Sequence, residues 1–189
     1  MIEEHILRYL MDPQGDAGPI YNERSMQLEL ACAFRRDGFL VEFERPFRVP
    51  RQIGSTLKPK QNLDLLVRDG HETTAIELKV PLNGQHPETM YAFCADIEFV
   101  EALKRAGIAN RGFCIMLTND KAFWEDSGRG SPIHDAFRCV SYELAGLVQK
   151  PTGARDTAVS LSGRYRLAER WSEVSPRLLS NAKLLLVEV

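Results

Sequence analysis

The chain lacks any Cys-x-x-Cys pair. Cys32, Cys94, Cys114 and Cys139 are widely separated. That spacing excludes a zinc ribbon or a dithiol redox motif and reads as reduced core thiols of a cytosolic protein. His5, His71, His86 and His134 are scattered as well, which argues against a histidine metal site. No apolar run approaches the ~20 residues of a membrane span, so no membrane partner is expected. Glu3, Glu4, Arg8 and Asp12 interrupt the first residues, unlike a signal peptide, and a cytoplasmic location is expected. Charge of one sign is also missing. With 24 basic and 26 acidic residues the net charge is -2, so any nucleic acid would have to be held by a local patch. Internal repeats and low-complexity tracts are absent too.

What remains is an ordinary globular composition, 44% hydrophobic and 26% charged over 189 residues. This is enough to bury one substantial core, and residues 1–189 are read as a single domain. Residues 2–11 are expected to form a short helix ended by Asp12-Pro13. Asn22 looks like the cap of a second helix running to about Asp37, with Gly38 just beyond its end. Phe39 to Arg45 alternates as a strand does. A long loop from Pro46 to Gln61 leads into a hairpin. Pro81 ends the hairpin's second strand, and Pro87 opens another helix. That helix carries Met90, Phe93, Cys94, Ile97, Val100 and Leu103 on its apolar stripe and closes at Gly107. Phe113 to Leu117 reads as a buried strand. Asn119 to Ser131 reads as loop, and Val159 to Leu167 and Lys183 to Val189 as further strands added to the sheet.

The hairpin is the informative segment. Two apolar runs flank Asp69-Gly70-His71, a turn signal. Asp64 lies on the first strand, and Glu77 and Lys79 lie on the second. If Gly70-His71 forms the turn, Asp64 faces Glu77. If Asp69-Gly70 forms it, Asp64 faces Ala75 and is diagonal to Glu77. Either register leaves Asp64, Glu77 and Lys79 on one face, whereas a one-residue slip would flip them. Like charges across a sheet are destabilising. A divalent cation or the Lys79 ammonium would compensate them.

Asp64, followed after the turn by Glu77-Leu78-Lys79, resembles the motif of the PD-(D/E)xK nucleases. Leu63 stands where that family often has proline. The element order of residues 22 to 118 (helix, three strands, helix, strand) is also the family's core order. The resemblance implies an α/β, restriction-endonuclease-like fold, a mixed sheet flanked by helices. Residues 119–189 would form a β-rich C-terminal addition. It also implies a metal-dependent nuclease, with DNA as the expected substrate, using magnesium with manganese as a substitute. In that reading Asp64, Glu77 and the Leu78 carbonyl hold the metal, and Lys79 assists the attacking water. Magnesium prefers oxygen ligands and keeps several waters, which suits such a set.

Family members often place a glutamate on the first core helix. Met26, Leu30, Ala33 and Phe34 define its inward face. Glu23 falls near the middle of that face, Glu29 near its edge, and Gln27 one turn from Glu23. Glu23 is therefore expected at the site, although a glutamate there also suits the positive end of the helix dipole. Arg45, Arg48, Arg51, Lys58 and Lys60 form a basic stretch with no acid from Pro46 to Leu63, as a phosphate-tracking loop would. A solvated loop would look the same. Trp124 and Trp171 are read as packing residues, and Arg164, Arg166 and Arg170 as an exposed strand face and its exit. A homodimer would give the two sites needed to cut a duplex. The rival readings are a silent nucleic-acid-binding or assembly module of the same fold, and an interaction protein whose acidic hairpin is coincidental.

Overall fold

The computed structural model describes residues 2–12, 18–50, 52–58, 60–82, 84, 86–126, 128, 131–153 and 156–189. Four helices are present among them: α1 (Ile2–Met11), α2 (Glu23–Arg36), α3 (His86–Arg105) and α4 (Pro132–Arg138). The strands are β1 (Leu40–Arg48), β2 (Lys60–Asp69), β3 (Glu72–Lys79), β4 (Arg111–Thr118), β5 (Leu144–Gln149), β6 (Ala158–Tyr165), β7 (Trp171–Glu173) and β8 (Lys183–Glu188). Six of them form a mixed sheet in the order β1-β2-β3-β4-β8-β7, while β5 and β6 pair apart from it. The architecture is α/β, with helices on both faces of the sheet.

Local chemistry explains the helix bounds. Asn22 accepts from the Ser25 N–H at 2.9 Å, and Ser25 Oγ accepts from the Asn22 N–H at 3.0 Å, a reciprocal cap. Past the other end, Gly38 has φ 93°, a conformation that favours glycine. The crossover from β3 through α3 to β4 makes the one parallel pair in the six-stranded sheet. Because both faces are covered, the central strands read as continuous apolar runs. Phe113, Ile115 and Leu117 pack with α1 and α2, whereas Cys114 and Met116 pack with α3, α4 and the β5–β6 hairpin. Gly112 lets α3 approach closely, since a Cβ there would lie 2.1 Å from Val100 Cγ1.

Three expectations are corrected. First, β1 runs on through Pro46-Phe47-Arg48, so the loop starts at Val49. Proline is tolerated there because β1 is an edge strand. Second, the segment 119–131 is not all loop, since Lys121–Phe123 makes a 3-10 turn, and α4 follows at Pro132. Third, the C-terminal strands divide. Strand β8 joins the sheet beside β4, but β6 pairs with β5 and packs on α3. No helix among the described residues is long and apolar enough to cross a membrane.

Candidate metal centre

The hairpin adopts the first of the two registers, with Asp69 opposite Glu72 and Leu65 opposite Ile76. Gly70 supplies the positive φ, 56°, that the tight turn requires. Past Leu65 and Ile76 the two strands fork. In the fork, Asp64 Oδ2 accepts from the Leu78 N–H at 2.7 Å, replacing the lost ladder bond. The Asp64 carbonyl is freed on the other side. Glu44, which would face it from β1, has φ 45° and drops out of the pairing. Gln27 from α2 fills the gap, its Nε2 donating to Asp64 O at 2.7 Å and to Glu44 Oε1 at 3.3 Å. Strand and helix together therefore fix where Asp64 points.

Glu77 and Lys79 share the face that α3 covers. Glu77 is 5% exposed, and its Oε1 is buried without a hydrogen-bond partner among the described residues. Burial, with Asp96 and Asp64 nearby, pushes its carboxyl well above the usual range, and it shares a hydrogen bond with Asp64. Asp64 is raised as well, mainly by burial and against the Leu78 N–H that favours its charged form. Lys79 Nζ forms an ion pair with Asp96 Oδ2 at 2.9 Å, donates to Leu78 O at 3.1 Å and lies 3.8 Å from Glu23 Oε2. Burial works against its charge, but Asp96, Glu23 and Glu77 outweigh burial and hold the ammonium above its ordinary range. Lys79 is thus a fixed cation at neutral pH, a donor and not a base.

Glu23, Asp64, Glu77, Leu78 and Lys79 are therefore brought together. Glu29 is not, because it accepts from the Tyr9 hydroxyl away from the fork. Burial raises the Glu23 carboxyl, Lys79 opposes that, and Asp64 and Glu44 add to it.

Sequence reasoning missed Asp96, whose carboxyl burial lifts to about 7 against the pull of Lys79. The available signal was an acid set one residue before Ile97 and three after Phe93, inside the apolar run of α3. It also missed the strained Glu44, for which the sequence carries no cue.

The basic residues are less concentrated than expected. Arg45 and Arg48 lie on β1, and Lys60 opens β2. Arg45 donates to Glu42 at 2.5 Å and covers the Phe47 ring. Arg48 and Lys58 are exposed, and Arg51 lies outside the described residues. The loop is tied down: Gln52 bonds Glu101 and Ser162, and Thr56 bonds Ala158. Trp124 and Trp171 pack on each other at 5.7 Å between ring centroids. Arg164 pairs with Glu143 and Arg166 with Glu169.

Among the described residues, no group of three or more His, Cys, Asp or Glu side chains is arranged to hold a metal. The donor set at the fork is of a different kind: two carboxylates and a main-chain carbonyl. The orphaned Glu77 Oε1 fits a hard cation that retains waters. No family model, curated protein or solved structure matches the chain.

Proposed function

We propose that the chain is a magnesium-dependent nuclease with a restriction-endonuclease-like core, acting on DNA in preference to RNA. The observation that carries this reading is the buried, unpartnered Glu77 Oε1 beside Asp64, with the charged Lys79 one pleat along. Burying an acid without a partner costs free energy, and a fold keeps one where something else is to be bound. The helix, three strands, helix and strand that frame this cluster agree with the resemblance of Asp64 and Glu77-Leu78-Lys79 to the PD-(D/E)xK motif.

In this reading Asp64, Glu77 and the Leu78 carbonyl would hold the metal. When bound, the metal lowers the pKa of a coordinated water and polarises the phosphate. The remaining work belongs to the chain. Gln27 and the Leu78 N–H hold Asp64 in place. Asp96 anchors the Lys79 ammonium, which neutralises charge developing on the phosphate oxygens and orients the attacking water by hydrogen bonding. Glu23, at the mouth of the fork and near Lys79, is placed to accept a proton from that water. Arg48 and Lys58, on β1 and the loop after it, are exposed past the fork, where a strand of nucleic acid would run, and Lys60 opens β2 beside them.

The test is cleavage of supercoiled plasmid, linear duplex, branched DNA, single-stranded DNA and RNA, with magnesium, manganese or chelator. The expected result is metal-dependent cutting by the wild type that is lost in Lys79→Ala. Folded wild type that binds magnesium but cuts nothing would favour the silent module, and failure to bind any divalent ion would favour the interaction protein.

A further inference from the structure

A cleft of about 370 Å3 opens beside the fork, between the start of α2 and the residues that directly follow β3. It falls within the ~300–1,000 Å3 range of small-ligand sites. One wall is Tyr21 and Asn22, immediately before Glu23. The other is Val80, Pro81 and Leu82, immediately after Lys79. The cleft and the candidate centre thus share both of their supporting segments.

Tyr21 is unusual here. It is 67% exposed, although Ile20 beside it is buried. Its backbone is nevertheless fixed, because the Tyr21 N–H donates to Ser25 Oγ at 2.9 Å within the α2 cap. The facing wall is pinned as well, with the Pro81 carbonyl accepting from Thr118 Oγ1 at 2.5 Å. A phenol ring on a rigid stem therefore stands across from an apolar, proline-containing wall. Asn22 and Thr89 supply polar groups at the rim. An aromatic ring opposite an apolar surface accepts a flat ring between them, and polar groups at the rim would hydrogen-bond that ring's edge.

We propose that this cleft takes an unpaired nucleobase of the strand held at the fork, stacked on Tyr21. The inference rests on the nuclease reading and names its substrate class. A base inside a duplex has both faces occupied, so the cleft selects single-stranded, branched or locally opened nucleic acid over a closed duplex. The occupant is a base within a strand and not a free nucleotide, because the cleft adjoins the place where the phosphate would lie.

The experiment measures affinity of the full chain in chelator, which prevents cleavage. The probes are a fluorescein-labelled single-stranded oligodeoxynucleotide, its blunt duplex, and a labelled mononucleotide. Base stacking predicts that Tyr21→Ala weakens single-strand binding about 5- to 100-fold, with Tyr21→Phe close to wild type and duplex binding little changed. Circular dichroism checks that both variants fold. Equal single-strand affinity in wild type and Tyr21→Ala would overturn the inference while leaving the nuclease reading in place. Mononucleotide binding as tight as the oligonucleotide would overturn it in favour of a free ligand. Wild type that binds no single strand would overturn the inference, and the nuclease reading would then stand or fall on the cleavage panel alone.

Discussion

Helix α3 carries the buried Glu98 and Glu101 and the partly buried Asp96, and the fold treats them in opposite ways. Glu98 and Glu101 face the β5–β6 hairpin. Glu98 accepts from the Ser160 N–H at 2.7 Å. Glu101 accepts from the Ser162 and Gly163 N–H groups, the Tyr165 hydroxyl and Gln52 Nε2. Asp96 faces the fork, where Glu77 Oε1 has no partner and the acids gathered around Lys79 repel one another. The first set replaces the missing neighbour strand of β6 and stabilises the fold. The second is under-satisfied and stores an unfavourable charge arrangement. A buried acid alone indicates nothing; the state of its oxygens separates scaffold from site.

Substitutions can break this contrast, and the largest effect is expected at the fork. Asp64→Asn should lower metal-dependent cleavage by about 10⁴-fold or more while the circular dichroism spectrum stays native. Wild-type turnover in that variant would sink the assignment.

Next comes the scaffold side. Glu101→Ala strips acceptors from two N–H groups, a hydroxyl and an amide, and should cost about 3–5 kcal/mol, read as a lower urea midpoint. A midpoint equal to wild type would mean that water replaces the carboxylate fully.

Glu77→Gln should do the reverse. Its amide can still donate toward Asp64 and can never take up the charge that burial disfavours, so stability in chelator should be at least that of wild type, with a gain of up to about 1–3 kcal/mol at the high-pH end. The pH dependence follows from the raised carboxyls. Burial pushes the Asp96 carboxyl up to about 7 from an ordinary 3.8, and Glu77 is raised as well. The folded state keeps protons that the unfolded chain has released. The stability that these two groups contribute in chelator is therefore fully present below about pH 4 and is lost as pH rises through 7. Thermal melts should show that decline, with a shallower slope in Glu77→Gln, and magnesium should restore wild type more than the variant.

The smallest effect lies on β1. If Arg48 contacts phosphate, Arg48→Gln should weaken nucleic-acid binding across sequences and reduce the salt slope by about 1. An unchanged slope would remove Arg48 from the contact surface.

Legibility in the sequence followed the range of the interactions. The α2 cap and the hairpin are set by residues a few positions apart, and both could be read from Asn22, Gly38 and the Asp69-Gly70-His71 turn signal, which narrowed the register to two alternatives that share one face. The presence of Glu23 at the site was readable because helix periodicity set it on the inward side of α2, whereas its approach to Lys79 is visible only in the fold. Asp96 was not singled out, since its partner lies 17 positions earlier on another element. The separate β5–β6 hairpin was hidden for the same reason, as what holds it off the main sheet is Glu98 and Glu101 of α3. Strand β1 was cut short at Pro46 because only the tertiary arrangement makes it an edge.

Gly112 has a reach beyond its own position. Val100 seats against it, and Asp96 lies one turn back along α3, about 6 Å along the axis. The bare Cα of Gly112 acts as the fulcrum on which the helix rests. A single methyl group there would lever α3 off the sheet and carry the Asp96 anchor away from Lys79. The alignment of the ammonium is therefore calibrated by an absent side chain on a neighbouring strand.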